Sequence, residues 1–300
     1  MKNLKYIFTV CLALFIAAGC TQNAKENSQV PGVKNVILMI GDGMGPAQIY
    51  AGLTANKGSL NLEKSTHTGL SKTNASDNYI TDSAAGATAF SAGVKTYNGA
   101  IGVDSTGKPV RTILEIAEEH GLATGLVATS TITHATPASF IAHQPSRSME
   151  EEIAADFLNT DIDVFIGGGE EYFNSREDGR DLLSELEERD YQVLNTLEEI
   201  TATESGKLAG FLPVRRMLDG RGDQLPETAQ TAINILNQND NGFFLMIEGS
   251  QIDWGGHDNN QEYVVTEMLD FDRTIGKVLE FAEEDGETLV IITADHETGG

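Results

Sequence analysis

Cysteine is nearly missing from this sequence: of 300 residues only Cys11 and Cys20 are cysteines, both near the start. A body without cysteine has no disulfide, so anything that staples it beyond ordinary packing must be a metal. Positive charge is scarce as well. The 20 Lys and Arg stand against 45 Asp and Glu, a formal net charge of −25. That balance argues against nucleic acid and anionic membrane surfaces as partners, and its plainest use is solubility. A site for a small anion would have to gather positive charge locally, from metal ions, arginine or helix N-termini. Long apolar runs are confined to the opening "MKNLKYIFTVCLALFIAAGC". Lys2 and Lys5 precede an apolar stretch from Tyr6 to Ala18, too short for a comfortable membrane span, which reads as a secretory signal. Small residues before Cys20 resemble a lipobox, with Ala17 where leucine is usual. The expectation is a signal over 1–19, a lipidated Cys20 that attaches the chain to a membrane, and a tether over 20–34. The protein would then be exported, periplasmic or attached to the outer membrane.

What remains has no internal repeat and no low-complexity linker after Gly32, and 40% of the whole chain is hydrophobic, enough for a sizeable core. Short apolar, β-branched runs predict strands over 36–40, 122–128, 163–166, 192–194, 243–247 and 288–293. Amphipathic spacing predicts helices over 112–120, 149–158, 181–188 and 226–236. A longer helix follows, with Val264, Met268, Phe271, Ile275, Val278 and Ala282 on one face. This order implies an α/β fold, a largely parallel central sheet with helices on both faces, over 35–300. The chain stops in the polar loop "TADHETGG", just after a strand expected to be buried and central. Such strand ends are where α/β folds keep their sites, so the C-terminal part of the domain is expected to be missing.

Ligands of parallel sheets bind at the carboxyl ends of the strands. Four predicted strands lead there into acidic or imidazole groups: Asp42; His134 with Thr136 and Arg147; Glu248 with Asp253 and His257; Asp295 with His296. Taken singly, each has a bland explanation as a turn former, a cap or a solvated loop residue. Together they are hard and borderline donors suited to Zn²⁺ and Mg²⁺. In "TDSAAGATA", Ser83 opens a run of small residues that reads as a helix. Asp82 or Ser83 could merely cap it, or the Ser83 hydroxyl could sit where a helix N-terminus favours an anion. No G-x-S-x-G elbow is present, and a metal can lower a hydroxyl pKa without a neighbouring histidine base. Two nucleotide-loop matches fail. Gly102 to Lys108 fits G-x-x-x-x-G-K, but Pro109 occupies the Mg²⁺-binding Ser/Thr position. "GDGMGP" lacks the third Rossmann glycine, and Asp42 would face the pyrophosphate.

These residues carry a wider pattern. The segments "GDGMG", "TDSAAGATA", "THATPASFIAHQPSR", "EGSQIDWGGH" and "TADHETGG" resemble the alkaline phosphatase family, in the family's order and over nearly all of the chain after the signal. The resemblance implies hydrolysis of small phosphate monoesters through a phosphoserine, with two zinc ions and one magnesium per site, in a homodimer. It makes Ser83 the nucleophile and Arg147 the guanidinium that holds the phosphoryl oxygens. Asp42, Asp295 and His296 become ligands of the zinc that activates the serine, and Asp253 and His257 two ligands of the second zinc. His134, Thr136 and Glu248 become the third-metal site, with Asp42 bridging towards it. Two departures stand out: the best-known bacterial pattern has aspartate at His134 and lysine at Trp254, so a cation near the phosphate is lost and weaker product binding follows. The family's remaining zinc ligand is a histidine well beyond His296, past Gly300. A related phosphodiesterase is an alternative, as is a catalytically silent phosphate- or metal-binding exported lipoprotein; a sulfatase lacks its C/S-x-P-x-R setting around Ser83.

Overall fold

The computed structural model describes residues 32–298, so the signal over 1–19 and the lipidated Cys20 lie outside the described residues. Seven strands form one sheet: β1 (Asn35–Gly41), β2 (Ala123–Thr131), β3 (Val164–Gly168), β4 (Tyr191–Leu194), β5 (Lys207–Phe211), β6 (Phe243–Gly249) and β7 (Thr288–Thr293). Their order is β4-β5-β3-β2-β6-β1-β7, and every pairing is parallel. β6 is buried throughout and β1 nearly so, as the centre of a parallel sheet requires of strands covered on both faces. Register then aligns their ends: Ile40 and Ala128 both pair with Glu248. Asp42 and Glu248 therefore emerge side by side at the carboxyl edge.

Eleven helices are described: α1 (Pro46–Ala55), α2 (Ser83–Ala92), α3 (Ile113–Glu119), α4 (Ala135–Ala138), α5 (Glu150–Asp156), α6 (Glu171–Asn174), α7 (Leu182–Glu187), α8 (Leu197–Thr201), α9 (Gln224–Leu236), α10 (Gln251–His257) and α11 (Gln261–Asp285). They cover both faces. Leu38 and Ile40 pack into one apolar layer with Ala84, Leu114 and Phe157, from α2, α3 and just after α5. Ile37 and Met39 pack into the other with Leu236, Met268, Phe271 and Ile275, from α9 and α11. Local signals fix the ends: Thr112 and Glu115 make a capping box on α3, and α11 runs from an Asn260 cap to Gly286 at φ 72°.

Every strand and helix expected from the sequence is present within a few residues. One expectation is corrected: β7 is the edge strand of the described sheet, with Leu289 and Ile291 each 43% exposed, rather than a buried central one. β5 and the helices α1, α4, α6, α8 and α10 were not expected. β5 reads KLAGF, with too few apolar residues to signal a strand; it packs because a Cβ at Gly210 would meet Ile200 at 2.8 Å and Ile166 at 3.2 Å. α10 contains Gly255 and Gly256, poor helix formers. They are there for contact, since a Cβ on Gly255 would lie 2.7 Å from the backbone of Val264.

Candidate metal centre and nucleophile

β1 runs directly into Gly41-Asp42-Gly43, and Pro46 then starts α1. Gly43 has φ 65°, and a Cβ there would sit 2.5 Å from Thr298 Oγ1 and 2.9 Å from Asp253 Cα. Only glycine can make this turn in this space. The turn leaves Asp42 fully buried, with its N–H donating to the Gly249 carbonyl at 3.3 Å. The Gly43 N–H donates to Asp295 Oδ1 at 3.1 Å. The glycines thus serve a carboxylate.

Two groups of potential ligands share that carboxylate. Asp42, Asp295 and His296 bring their ligand atoms within 4.8 Å of one another, and so do Asp42, His134 and Glu248. In the first group His296 Nε2 lies 3.4 Å from Asp42 Oδ1 and 3.5 Å from Asp295 Oδ2. Ser83 joins it, its Oγ 3.3 Å from both Asp42 Oδ1 and His296 Nε2. Ser83 is the first residue of α2, whose cap is Asp82, accepting from the Ala85 N–H at 3.0 Å. The small residues of α2 allow the approach: a Cβ on Gly86 would be 3.2 Å from Asp295. In the second group the buried Thr136 follows His134 by two residues, and the Trp254 ring stands edge-on to His134 at 5.8 Å.

Asp253 and His257 are one helical turn apart on α10, Nε2 to Oδ2 at 3.4 Å, and His257 is 70% exposed. Thr298 donates its hydroxyl to Asp253 Oδ1. No third His, Cys, Asp or Glu completes a metal-ligand group with this pair among the described residues. Arg147 reaches Asp82 Oδ2 through Nη1 at 3.2 Å, and its Nη2 lies 3.2 Å from His134 Nε2. The sequence-predicted residues therefore converge, with His257 at the rim. Sequence reading missed Ser250 and Ser130, which donate to Glu248 Oε2, and Thr298. Thr298 and Ser250 stood within quoted motifs, and Ser130 lay outside them.

The electrostatics are those of a site built for cations. Burial, then Asp295, Glu248 and Asp253, push the Asp42 carboxyl well above its ordinary range. Burial lifts Glu248 to about 7 against the Ser250 hydrogen bond, and lifts Asp295 despite His296 and the Gly43 N–H. Burial and Arg147 press His134 down to about 3, a neutral imidazole. Among the described residues, seven buried side-chain N or O atoms have no hydrogen-bond partner, and four belong here: His134 Nδ1, Thr136 Oγ1, Glu248 Oε1 and Asp295 Oδ2. Unpaired buried acceptors beside repelling carboxylates are costly alone and are satisfied by a divalent cation, which reverses the shifts. The donor set fits one.

Comparison with known proteins gives a consistent result. A family model described as alkaline phosphatase matches residues 33–300. Alkaline phosphatase 4 of Bacillus subtilis is 43% identical over 89% of this chain and 62% of its own length. The solved alkaline phosphatase from the Antarctic bacterium TAB5 superposes with a TM-score of 0.85 at 48% identity, over 90% of this chain and 81% of its own. A variant of that enzyme with a histidine changed to aspartate, carrying bound magnesium, matches equally well at a TM-score of 0.85 and 47% identity, over 90% of this chain and 79% of its own. The chain thus spans 62% of the length of the Bacillus relative it matches.

Proposed function

This chain belongs to the alkaline phosphatase family, and from that premise we propose that it hydrolyses phosphate monoesters through a phosphoserine on Ser83. One observation carries the reading: the Ser83 hydroxyl lies 3.3 Å from two members of one ligand group, the buried Asp42 and the half-buried His296. Zinc is proposed at Asp42, Asp295 and His296, and magnesium at Asp42, His134, Thr136 and Glu248. A second zinc would take Asp253 and His257, two donors where zinc usually has three or more protein ligands. Bound divalent cations would supply the charge that lowers the pKa of a serine hydroxyl and neutralises phosphoryl oxygens.

The chain's own residues then do the following. Ser83 Oγ gives up its proton to solvent, attacks phosphorus and forms a P–O bond as the ester P–O bond breaks, and the leaving alcohol takes a proton from water. Water next attacks the phosphoserine, breaks the P–Oγ bond and releases phosphate with the serine restored. Arg147 holds two phosphoryl oxygens with its planar fork, and Asp82 orients it. Phosphoryl transfer asks for little beyond positioning and charge. Burial of Asp42, Glu248 and Asp295 keeps bulk water from screening that charge. The substrates proposed are small phosphate monoesters, the assembly a homodimer, and the location exported, periplasmic or attached to the outer membrane by a lipidated Cys20.

The reading is tested by release of nitrophenol from an aryl phosphate after the metals are stripped and Zn²⁺ and Mg²⁺ restored. Many turnovers per chain, abolished in Ser83→Ala, are expected. Metal-loaded, folded protein that releases at most one phosphate per chain would mark a silent binder.

A further inference from the structure

His143 stands four residues before Arg147, outside both ligand groups, and its ring meets two acceptors. Nδ1 is 2.7 Å from the Gly102 carbonyl oxygen and Nε2 is 3.0 Å from Glu115 Oε1. A neutral imidazole has one N–H and one lone pair, so it satisfies one contact and turns a lone pair toward the other oxygen. An imidazolium donates to both. Glu115 is fixed for this contact, because its other oxygen accepts from the Thr112 N–H at 2.8 Å in the α3 capping box. The His143 and Glu115 side chains are only 22% and 26% exposed. Asp156, at the end of α5, accepts from the His143 N–H at 3.1 Å and from Gln144 Nε2 at 2.8 Å. The charged groups acting on the ring are therefore Glu115 and Asp156, both acidic. Burial opposes the ring's charge, but the Gly102 carbonyl and these carboxylates outweigh it and hold the pKa above the ordinary imidazole value.

The clamp bears on a ladder that ends at Arg147. Gly102 has φ 56°, and a Cβ there would lie 2.1 Å from the Ala142 carbonyl, so the two segments touch backbone to backbone. Ile101 and Gln144 exchange N–H···O bonds of 3.0 and 2.9 Å, and the Arg147 N–H donates to the Gly99 carbonyl at 2.7 Å. The Gly99 N–H donates in turn to Asp82 Oδ2 at 2.9 Å, the same oxygen that receives Arg147 Nη1. Residues 99–102 and 143–147 thus carry Arg147 to the residue beside Ser83.

We propose that His143 is a positioning residue: as an imidazolium it clamps Gly102 to Glu115, fixes this ladder, and sets the placement of Arg147 against Asp82 until it deprotonates. Only the consequence for phosphate rests on the phosphatase reading. A cationic group with a raised pKa holds its contacts fully at low pH and releases them as pH rises through that pKa.

Ring-nitrogen and amide NMR of the full chain tests it. Both His143 ring nitrogens should carry protons on the acidic side of the ring's midpoint, and the ring and the Arg147 amide should titrate with that one midpoint. Glu115→Gln offers an N–H to a neutral ring, so the contact survives while the midpoint falls by about one pH unit or more. His143→Asn keeps a donor where Nδ1 stands and His143→Gln one where Nε2 stands; in both, the Arg147 amide stops titrating. In metal-loaded protein, the dissociation constant of inorganic phosphate rises through the midpoint relative to the two histidine variants. A ring midpoint at or below the ordinary imidazole value, an Arg147 amide indifferent to the ring, or a phosphate constant that tracks the variants overturns the clamp. Coupled titration in a protein that neither binds nor releases phosphate upholds the clamp and contradicts the phosphatase reading instead.

Discussion

Without metal, Glu248 should make the protein less stable as the solution becomes alkaline, and Glu248→Gln should remove that effect. Glu248 is fully buried, its Oε1 has no partner, and burial lifts its pKa from 4.5 to about 7. The folded state therefore holds this proton more tightly than the unfolded chain does. Its contribution is present below the unfolded pKa and is lost as pH rises through 4.5 to about 7. At about 1.4 kcal/mol per unit, the gap between those values amounts to about 3 kcal/mol. Glutamine fills the same space and never ionises. In chelator, urea unfolding followed by circular dichroism should find the two proteins close in stability under mildly acidic conditions. In alkaline buffer the variant should be the more stable by about 3 kcal/mol, or roughly 6 °C or more in Tm. Adding Zn²⁺ and Mg²⁺ should reverse the order, because glutamine cannot supply the charge. Parallel stability curves in chelator, or a wild type more stable at alkaline pH, would mean that Glu248 holds no extra proton in the metal-free fold.

Gly43→Ala forces a side chain into a left-handed turn against Thr298 and the Asp253 backbone. It should cost about 2 kcal/mol or more and weaken metal binding, read by thermal melts with and without Zn²⁺. Arg221 is buried between Glu267 and Asp270, with Nη2 2.6 Å from Asp270 Oδ2. Arg221→Ala strands both carboxylates and should destabilise by roughly 3–5 kcal/mol in urea titrations. Trp254 packs edge-on to His134 where the best-known bacterial pattern has lysine. Trp254→Lys should tighten competitive inhibition by inorganic phosphate, and an unchanged inhibition constant would count against a role for this position in product release.

The sheet was legible because its central strands are short apolar runs buried on both faces, and α11 because its apolar stripe repeats over 25 residues. β5 and α10 were hidden because glycines lowered the local signal while serving close packing, which only tertiary contact reveals. The edge position of β7 was hidden too, since its TLVIIT run reads like a central strand. At the site, the ligand types and their strand-end positions were readable, and the split into two groups sharing Asp42 came from the family resemblance. Register explains why it holds: Ile40 and Ala128 both pair with Glu248 and level the strand ends. The supporting bonds from Ser130 and Ser250, and the tie of Arg147 to Asp82, depend on side-chain geometry that spacing does not encode.

On the proposed route Ser83 itself carries the phosphoryl group. Metal-loaded protein turning over an aryl phosphate can be quenched in acid, digested and examined by mass spectrometry. A phosphoryl group is expected on the peptide containing Ser83, absent from Ser83→Ala along with turnover. Sustained turnover with no phosphoryl group on that peptide, or turnover that survives Ser83→Ala, would contradict that route.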